Sequence, residues 1–438
     1  MALLAAAQET PQRDYGDFTL EAQVRARGEI RTGLGTKDED HPASNMFAND
    51  RVRLGFGWER NNISLKVSLQ HAGNWMDAAK KYISGNIAVH EAWATMDFGP
   101  GFFAQVGRQE IAFDDGRLFG EHDWSPAGRT HDALRLGWAN DRHQIHAIAS
   151  FNQTGDVVDD VNYFVKESPE ERLYKNMQTL WYHFGNVARP FGISLLFSNQ
   201  GVSDAKGNGT NYIQTFGTYM NYTGRKFLFD ISLYYQTGTD RAGADLRAFL
   251  MSGNLGLQCS PKWKITVGDD YLSGSDGMPG TNRTFNTLYG SHHEFFGSMD
   301  YVGFNAVPLY GLNDVHAKAT YRRNDKFDMN MGVHWLAMGR PINNYLKNPI
   351  EELTDPEKIK IMRNYYGKYR FSQSLGGEID VEARWHVWQD ITLRAGYSMM
   401  IASETMQLFK GEDTGTVHNW GWVSFDINPI IFSTRNRR

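Results

Sequence analysis

The sequence predicts an all-β fold: a transmembrane antiparallel β-barrel of about eighteen strands in a bacterial outer membrane. Three observations support this prediction. Apolar and polar residues alternate over unusually long segments, the connections between these segments alternate between short and long, and aromatic residues make up 13% of the chain. Soluble strands are typically about 5–6 residues long, whereas a tilted strand that crosses a membrane needs about 9–11.

Composition excludes several other classes of protein. The 438 residues include 44 glycines and carry a formal net charge of −5, which is too balanced for a bulk nucleic-acid binder. The aromatic and glycine content excludes intrinsic disorder, and no window approaches the roughly 18 apolar residues of a membrane-spanning helix. The single cysteine, Cys259, cannot form an internal disulfide and is consistent with export.

The alternation is clearest near the N-terminus. From Phe18 to Arg31, apolar residues such as Leu20 and Val24 occupy one parity, while charged residues such as Arg25 occupy the other. Similar alternation covers 51–58, 63–70, 227–236, 327–335 and 378–386, and less regular strands are predicted at 88–98, 176–184, 212–222 and 246–257. Each of these segments is long enough to cross the outer membrane.

The connections follow a regular rhythm. Short turns are predicted at 60–61, 99–101, 140–142, 185–190, 223–226, 260–261, 323–326 and 389–390, and long loops include 32–48, 71–87, 109–128, 273–312 and 337–374. Outer-membrane barrels have short periplasmic turns and long extracellular loops, so both termini are expected in the periplasm. A stack of soluble β-sandwich domains is the alternative, but it would show shorter strands and turns every 8–12 residues or so.

No linker or composition shift divides the chain. We expect residues 1–16 to be a signal-peptide remnant followed by a periplasmic N-terminal segment, and residues 17–438 to be a single barrel domain. A flexible cytosolic N-terminus is the alternative for the first segment. Thr354 to Ile359, with Pro356 in the first turn, predicts a short helix within a long loop.

The polar parity of the strands is expected to line the interior, which at about eighteen strands is wide enough for an aqueous channel. This face collects the basic residues Arg25, Arg27, Arg51, Arg53, Lys66, Arg135, Arg322, Arg384 and Arg394. Arginine suits carboxylated solutes because its planar charged group matches a carboxylate, and basic pore linings select anions. Acidic residues share the face, so Arg–carboxylate networks that only brace the wall remain the alternative.

Two stretches carry a family resemblance. The first contains Gly107-Arg108-Gln109, Asp115 to Gly120, Trp124, Gly128-Arg129 and Asp132 to Leu136; the second runs from Gly268 to Asp300. In this order the motifs resemble the alginate-export family of outer-membrane barrels. The resemblance implies an eighteen-stranded barrel and an electropositive conduit for a polyuronate. It also implies that Arg108, Arg117, Arg129 and Arg135 lie near the constriction.

Catalytic and metal sites are not predicted. The run His292-His293-Glu294 matches no standard zinc spacing, and His122, Asp123 and Ser125 are too close in sequence to indicate a catalytic triad. No cofactor is expected. Trp58, Trp263, Trp335 and Trp420 lie near strand ends and are predicted to be interfacial anchors.

The functional hypothesis is a porin-like channel in the outer membrane of a Gram-negative bacterium. We expect passive transport of anionic saccharides or small anionic solutes through an Arg-lined lumen, in contact with outer-membrane lipid and without covalent chemistry. The alternative is a structural or docking barrel subunit with an envelope protein partner in an outer-membrane assembly. Nucleic acid is not an expected partner.

Overall fold

Eighteen long antiparallel strands form one sheet that closes on itself in the described part of the chain. The computed structural model describes residues 15–33, 37–38, 41–42, 45–75, 87–152, 174–185, 190–205, 209–275, 280–302, 308–340, 372–409 and 417–435. The strands are β1 Asp17–Thr32, β2 Asn45–Arg60, β3 Ile63–Asn74, β4 Ile87–Asp97, β5 Phe102–Gln109, β6 His131–Ala139, β7 His143–Phe151, β8 Asn176–Phe184, β9 Phe191–Ser203, β10 Thr210–Thr223, β11 Phe227–Thr239, β12 Asp245–Ser260, β13 Trp263–Leu272, β14 Leu312–Asn324, β15 Phe327–Ala337, β16 Ser374–Trp388, β17 Ile391–Ala402 and β18 Val417–Ile427. The predicted fold class and strand number are confirmed.

Strand β1 closes the barrel because it pairs on both sides. It pairs with β2 from Asp17 to Arg31 and with β18 from Val24 to Thr32. The short strand Ile430–Ser433 follows β18 and pairs with the start of β1. Among the described residues, closure leaves the eighteen-stranded sheet without an unpaired edge, which is what a strand-built wall in a bilayer requires.

The two faces of the wall differ as the alternation predicted. In β1, Val24 and Ile30 are 39% and 49% exposed on the outside, whereas Arg25, Arg27 and Glu29 are buried inside. Outward apolar side chains meet lipid in such a barrel, and inward polar ones are held by neighbouring strands and by segments inside the barrel.

The connections agree with the predicted rhythm except at two places. Short turns follow β2, β4, β6, β8, β10, β12, β14 and β16, and the connections after β1, β3, β5, β7, β13, β15 and β17 are long. The connections after β9 and β11, residues 204–209 and 240–244, are short where the alternation predicted long loops. The four less regular strands are present as β4, β8, β10 and β12. The helix predicted at Thr354 to Ile359 and most of the predicted signal-peptide remnant lie outside the described residues.

Short elements occur in the long connections. They include the helix Glu404–Phe409, the 3-10 helices His292–Glu294 and Pro308–Tyr310, the hairpin of Lys37–Asp38 with His41–Pro42, and the two-residue strand Thr281–Asn282. No helix in the described part of the chain has the length and apolar composition needed to cross a bilayer.

The prediction that Trp420 is an interfacial anchor was wrong. Its ring is fully buried inside the barrel, and its Nε1 donates a hydrogen bond of 2.9 Å to Oε2 of Glu29. Trp420 shares its strand parity with inward residues, so proximity to the strand end was a misleading signal. Trp263 and Trp335 do lie on the outer surface.

Candidate functional site in the barrel interior

The connection between β5 and β6, residues 110–130, folds into the barrel. Its carboxylate Asp123 reaches Arg25, at the middle of β1, and Arg51 on β2. Its apolar side chains Ile111 and Phe119 are buried. We call residues 110–130 the first inner segment. A solvated extracellular loop, as the sequence predicted, would not bury these side chains, so this part of the loop prediction is corrected.

A second connection also enters the barrel and joins the first. Residues 280–302, between β13 and β14, form the second inner segment. Phe119 and Tyr289 make an isolated parallel β-bridge between the two segments. The amide of Tyr289 donates to the carbonyl of Leu118 at 2.8 Å, and the amide of Gly120 donates to the carbonyl of Tyr289 at 3.0 Å. The two segments are therefore connected through their backbones.

Glycine permits this close approach. A Cβ atom added at Gly290 would lie 2.1 Å from the carbonyl oxygen of Arg117, and one added at Gly120 would lie 2.3 Å from Oγ of Ser291. Backbone atoms cannot move aside as a flexible side chain can. The contact between the two inner segments therefore requires glycine at position 290.

Unfavourable backbone conformations also concentrate in the inner segments. Of the six described non-glycine residues with positive φ, five lie there: Asp114, His122, Leu288, Phe296 and Asp300. Such conformations cost about 1–3 kcal/mol each and persist only where the surroundings enforce them, commonly at functional sites. The packing of the two inner segments against each other and against the wall therefore enforces backbone conformations that the strands do not need.

Asp123 is the centre of a basic cluster. Its carboxylate lies 2.8 Å from Nη2 of Arg25, 2.7 Å from Nη2 of Arg51 and 3.7 Å from Nη1 of Arg53. Burial raises the pKa of Asp123, but the charges of Arg25 and Arg51 outweigh burial and hold the pKa below its usual value. Arg25 also pairs with Asp426 at 2.6 Å. The structure thus brings these three predicted arginines together around an acidic residue from the first inner segment.

Trp124 is enclosed by aromatic and cationic groups. The guanidinium of Arg27 lies 3.9 Å from its ring centroid, and the ring of His293 stacks on it at 3.9 Å. Trp420 and Trp422 on β18 contact it edge-on. Cation–π contacts of this kind contribute about 0.5–2 kcal/mol each. Trp124 therefore joins the first inner segment to β1, β18 and the second inner segment.

Arg117 is fully enclosed between the inner segments and the wall. It pairs with Asp115 and Asp270, each at 3.1 Å, and its guanidinium lies 4.1 Å from the ring centroid of Phe295. Burial lowers the pKa of Arg117, but the two carboxylates outweigh burial and raise it. The charge of Arg117 is therefore compensated within the protein.

Arg129 differs from Arg117 because no carboxylate in the described ranges compensates its charge. Its Nη1 donates to the carbonyl of Gly290 at 3.0 Å, and burial lowers its pKa. Burial, followed by the charge of Arg129, also lowers the pKa of His122 and lowers that of His292 to about 3. Both imidazoles are therefore neutral at pH 7, and Arg129 contributes a positive charge at the junction that no carboxylate of the described residues pairs with.

The other inward basic residues lie elsewhere on the wall. Lys66 pairs with Glu91 at 2.5 Å, Arg384 with Asp328 at 3.0 Å, and Arg394 with Glu382 at 2.7 Å. Arg135 donates to Nδ1 of His146 at 2.6 Å, and Arg322 is exposed near the end of β14. These five residues are not gathered at one point.

The placement of Arg108 near a constriction needs correction. Arg108 shares its parity on β5 with the outward-facing Val106, and it pairs with Asp132 at 2.8 Å. Asp132 shares its own parity with the outward-facing Leu134. The motif contributed Arg108 to the candidate set, but the alternation along β5 places the side chain on the outer surface.

Sequence reasoning missed the acidic partners of the basic cluster. Asp123, Glu110 and Asp426 reach the arginines of β1 and β2 from distant parts of the chain. The apolar content of the first inner segment, including Phe113 and Phe119, was a usable signal, because a solvated loop has no reason to carry it.

Comparisons with known proteins agree with the fold. The alginate export family matches residues 17–417, whereas no curated protein sequence matches the chain. OccAB4 of Acinetobacter baumannii has 9% identity and a TM-score of 0.59 over 96% of this chain and 100% of its own. OccK9 (OpdG) of Pseudomonas aeruginosa has 9% identity and a TM-score of 0.60 over 94% and 98%. A BenF-like porin from Pseudomonas fluorescens Pf-5 has 9% identity and a TM-score of 0.58 over 94% and 99%.

Proposed function

The chain belongs to the alginate export family, and on that premise we propose that it passes anionic saccharides or small anionic solutes through its lumen by diffusion. The fold is that of a porin-like outer-membrane β-barrel. Porin and export families are in general not enzymes, and the proposal assigns no covalent step to this chain.

One observation carries the preference for anions. Arg129 lies at the junction of the two inner segments, and within the described ranges a backbone carbonyl is the only hydrogen-bond acceptor of its guanidinium. Its charge is available to a solute, whereas the charge of Arg117 is taken up by Asp115 and Asp270. A planar guanidinium of this kind binds carboxylates in a two-pronged geometry. We propose that a solute carboxylate meets Arg129 at the narrowest part of its path.

We propose a different role for the four arginines of β1 and β2, which are Arg25, Arg27, Arg51 and Arg53. Their paired carboxylates reduce the net positive charge, so we propose that this cluster sets a local field and does not form a tight binding site. Weak binding is an advantage in a channel, because a solute that enters must also leave. Arg135, Arg322, Lys66, Arg384 and Arg394 would extend the basic lining along the wall.

Reversal potentials in planar bilayers under a KCl gradient test the proposal. A unit charge about 8 Å from a permeating ion, at an effective dielectric constant of about 40–80, changes its local concentration about two- to sixfold. Arg129→Gln should lower the anion preference by that factor. Arg108→Gln is the matched control, because it removes the same charge from the outer face, and it should leave the preference unchanged. A cation-selective channel that is insensitive to Arg129→Gln contradicts the proposal.

Liposome swelling with neutral sugars, uronate oligomers and amino acids identifies the solute class. Uronate oligomers should enter faster than neutral sugars of equal size, and Arg129→Gln should reduce that difference. A barrel that conducts nothing and co-purifies stoichiometrically with another envelope protein would instead support the docking-subunit alternative.

A further inference from the structure

A compact group of metal-binding side chains lies on the inner wall away from the basic cluster. Asp314 and His316 on β14 and His334 on β15 are 0%, 6% and 6% exposed. His316 and His334 stand opposite each other in the strand register. One ligand atom from each of the three residues lies within 4.8 Å of the other two.

The orientation of the His316 ring is set by its neighbours. Nδ2 of Asn254 donates to Oδ1 of Asp230 at 2.7 Å, which turns the amide oxygen of Asn254 toward His316. That oxygen lies 2.8 Å from Nε2 of His316, so this nitrogen carries the proton. Nδ1 of His316 lies 3.5 Å from Oδ2 of Asp314 and 3.3 Å from the backbone carbonyl oxygen of Asp314. This nitrogen and the Asp314 carboxylate are therefore placed to share a bound cation.

His334 faces the same carboxylate. Its Nδ1 donates a hydrogen bond of 2.8 Å to Oδ2 of Asp314, so a metal ion bound here displaces this proton. Its Nε2 lies 3.7 Å from Oδ2 of Asp380, which is too far for a hydrogen bond. Of the two imidazoles, His316 has an acceptor hydrogen-bonded to its second ring nitrogen. Metal-ligating histidines are typically oriented by such an acceptor on the second ring nitrogen.

The charge of the surroundings also calls for a cation. Glu378 and Asp380 are 1% and 8% exposed beside this group, and the hydrogen bond between their side chains requires a shared proton, so the pair carries one negative charge. No lysine or arginine of the described ranges forms an ion pair with Asp314, Glu378 or Asp380. Buried carboxylates without compensating charge are costly.

We propose that Asp314, His316 and His334 form a binding site for a divalent transition-metal ion of the zinc class. Zinc holds histidine nitrogen and carboxylate oxygen at about 2.0–2.2 Å, so any two ligand atoms lie at most about 4.4 Å apart, and small side-chain shifts complete the site. Two nitrogens and one oxygen favour zinc over calcium and magnesium, which prefer all-oxygen sites. Water takes the fourth position. This site does not depend on which solute the channel passes.

Isothermal titration of the full-length barrel with Zn²⁺ tests the proposal. The protein must carry no histidine tag and must be stripped with a chelator beforehand. We expect one zinc ion per chain, and we expect His316→Ala and His334→Ala each to abolish this binding. His386→Ala is the matched control, because the side chain of His386 shares the inward parity of its strand but contacts Thr392 and not a carboxylate. This variant should bind zinc as the parent does.

A milder variant and a spectroscopic measurement complete the test. Asn254→Ala keeps all three ligands but removes an orienting acceptor, and it should weaken binding about 10- to 100-fold. Co²⁺ should give visible absorption bands in the parent that are missing from His316→Ala, with circular dichroism confirming that each variant is folded. Absence of zinc binding by the parent, or equal binding by the parent and both histidine variants, overturns the proposal.

Discussion

The fully buried guanidinium of Arg51, on the barrel wall, lies 2.7 Å from the carboxylate of Asp123 in the first inner segment. Arg25 reaches the same carboxylate from the neighbouring strand at 2.8 Å. These ion pairs hold the first inner segment at the middle of β1 and not at the rim. The wall arginines therefore position the segment and also set the charge around it.

Asp123→Asn tests both consequences. Removing the carboxylate leaves the charges of Arg25, Arg51 and Arg53 less compensated, so we expect the anion preference in planar bilayers to rise about two- to sixfold. The first inner segment should also become more accessible to protease, because its ion pairs with the wall are lost. Asp141→Asn, in the turn after β6, is the control and should change neither property. A preference for anions that stays constant in Asp123→Asn would contradict the expected role.

Gly290→Ala tests the contact between the inner segments. The new Cβ would lie 2.1 Å from the carbonyl oxygen of Arg117, so the segments must separate or the second one must rearrange. Single-channel recordings should then show a changed conductance or added fluctuations between levels. In Gly28→Ala the new Cβ on β1 meets no atom within 4 Å, and the recordings should match the parent. Identical recordings from both variants would show that the contact does not control conduction.

Asp114 should make stability depend on pH. Burial raises its pKa to about 6, although hydrogen bonds from Ser194 and Trp181 act in the opposite direction. In the unfolded chain an aspartate has a pKa of about 3.9. As the pH rises from about 4 to 6, the unfolded state loses this proton before the folded state does. Stability should therefore fall through this window by at most about 3 kcal/mol and stay level above it.

Asp114→Asn provides the measurement. The variant cannot ionise, so its denaturant midpoint in detergent micelles should change less between pH 4 and pH 8 than that of the parent. The asparagine side chain still accepts the hydrogen bonds from Ser194 and Trp181, which limits any other effect of the substitution. Parallel pH profiles for the parent and the variant would assign the pH dependence to other groups.

The barrel could be predicted from the sequence because each strand carries its own evidence. Period-two alternation in β1 and the short turns at 140–142 and 389–390 are local properties, and both are confirmed. Side-chain direction on a strand follows from parity alone, which correctly turned Arg25 and Arg51 inward. The same alternation along β5 predicts that Arg108 faces outward, whereas the family motif predicted that it lies near the constriction.

The interior could not be predicted in the same way. Asp123 and Arg51, which form an ion pair, are 72 positions apart in the sequence. Asn254, which orients the ring of His316, is 62 positions from it. No local pattern specifies such contacts, since they arise when long connections fold into the barrel. Trp420 shows the same limit, because its partner Glu29 lies at the other end of the chain.

The last prediction concerns whether Arg27 braces the wall or serves a solute. Buried Glu29 accepts hydrogen bonds from Nε of Arg27 at 2.8 Å, Nδ2 of Asn49 at 3.0 Å and Nε1 of Trp420 at 2.9 Å. Removing one charge of a buried ion pair costs about 3–5 kcal/mol, so Glu29→Gln should lower the free energy of unfolding by about that amount.

Glu382→Gln is the matched comparison. Glu382 pairs with Arg394 on the same inner face but is 34% exposed, and an ion pair that water reaches contributes only about 0–1 kcal/mol. Denaturant unfolding in micelles should therefore separate the two variants clearly. Equal small losses would mean that Glu29 does not hold Arg27 in place, and the charge of Arg27 would then be free to act on a passing anion.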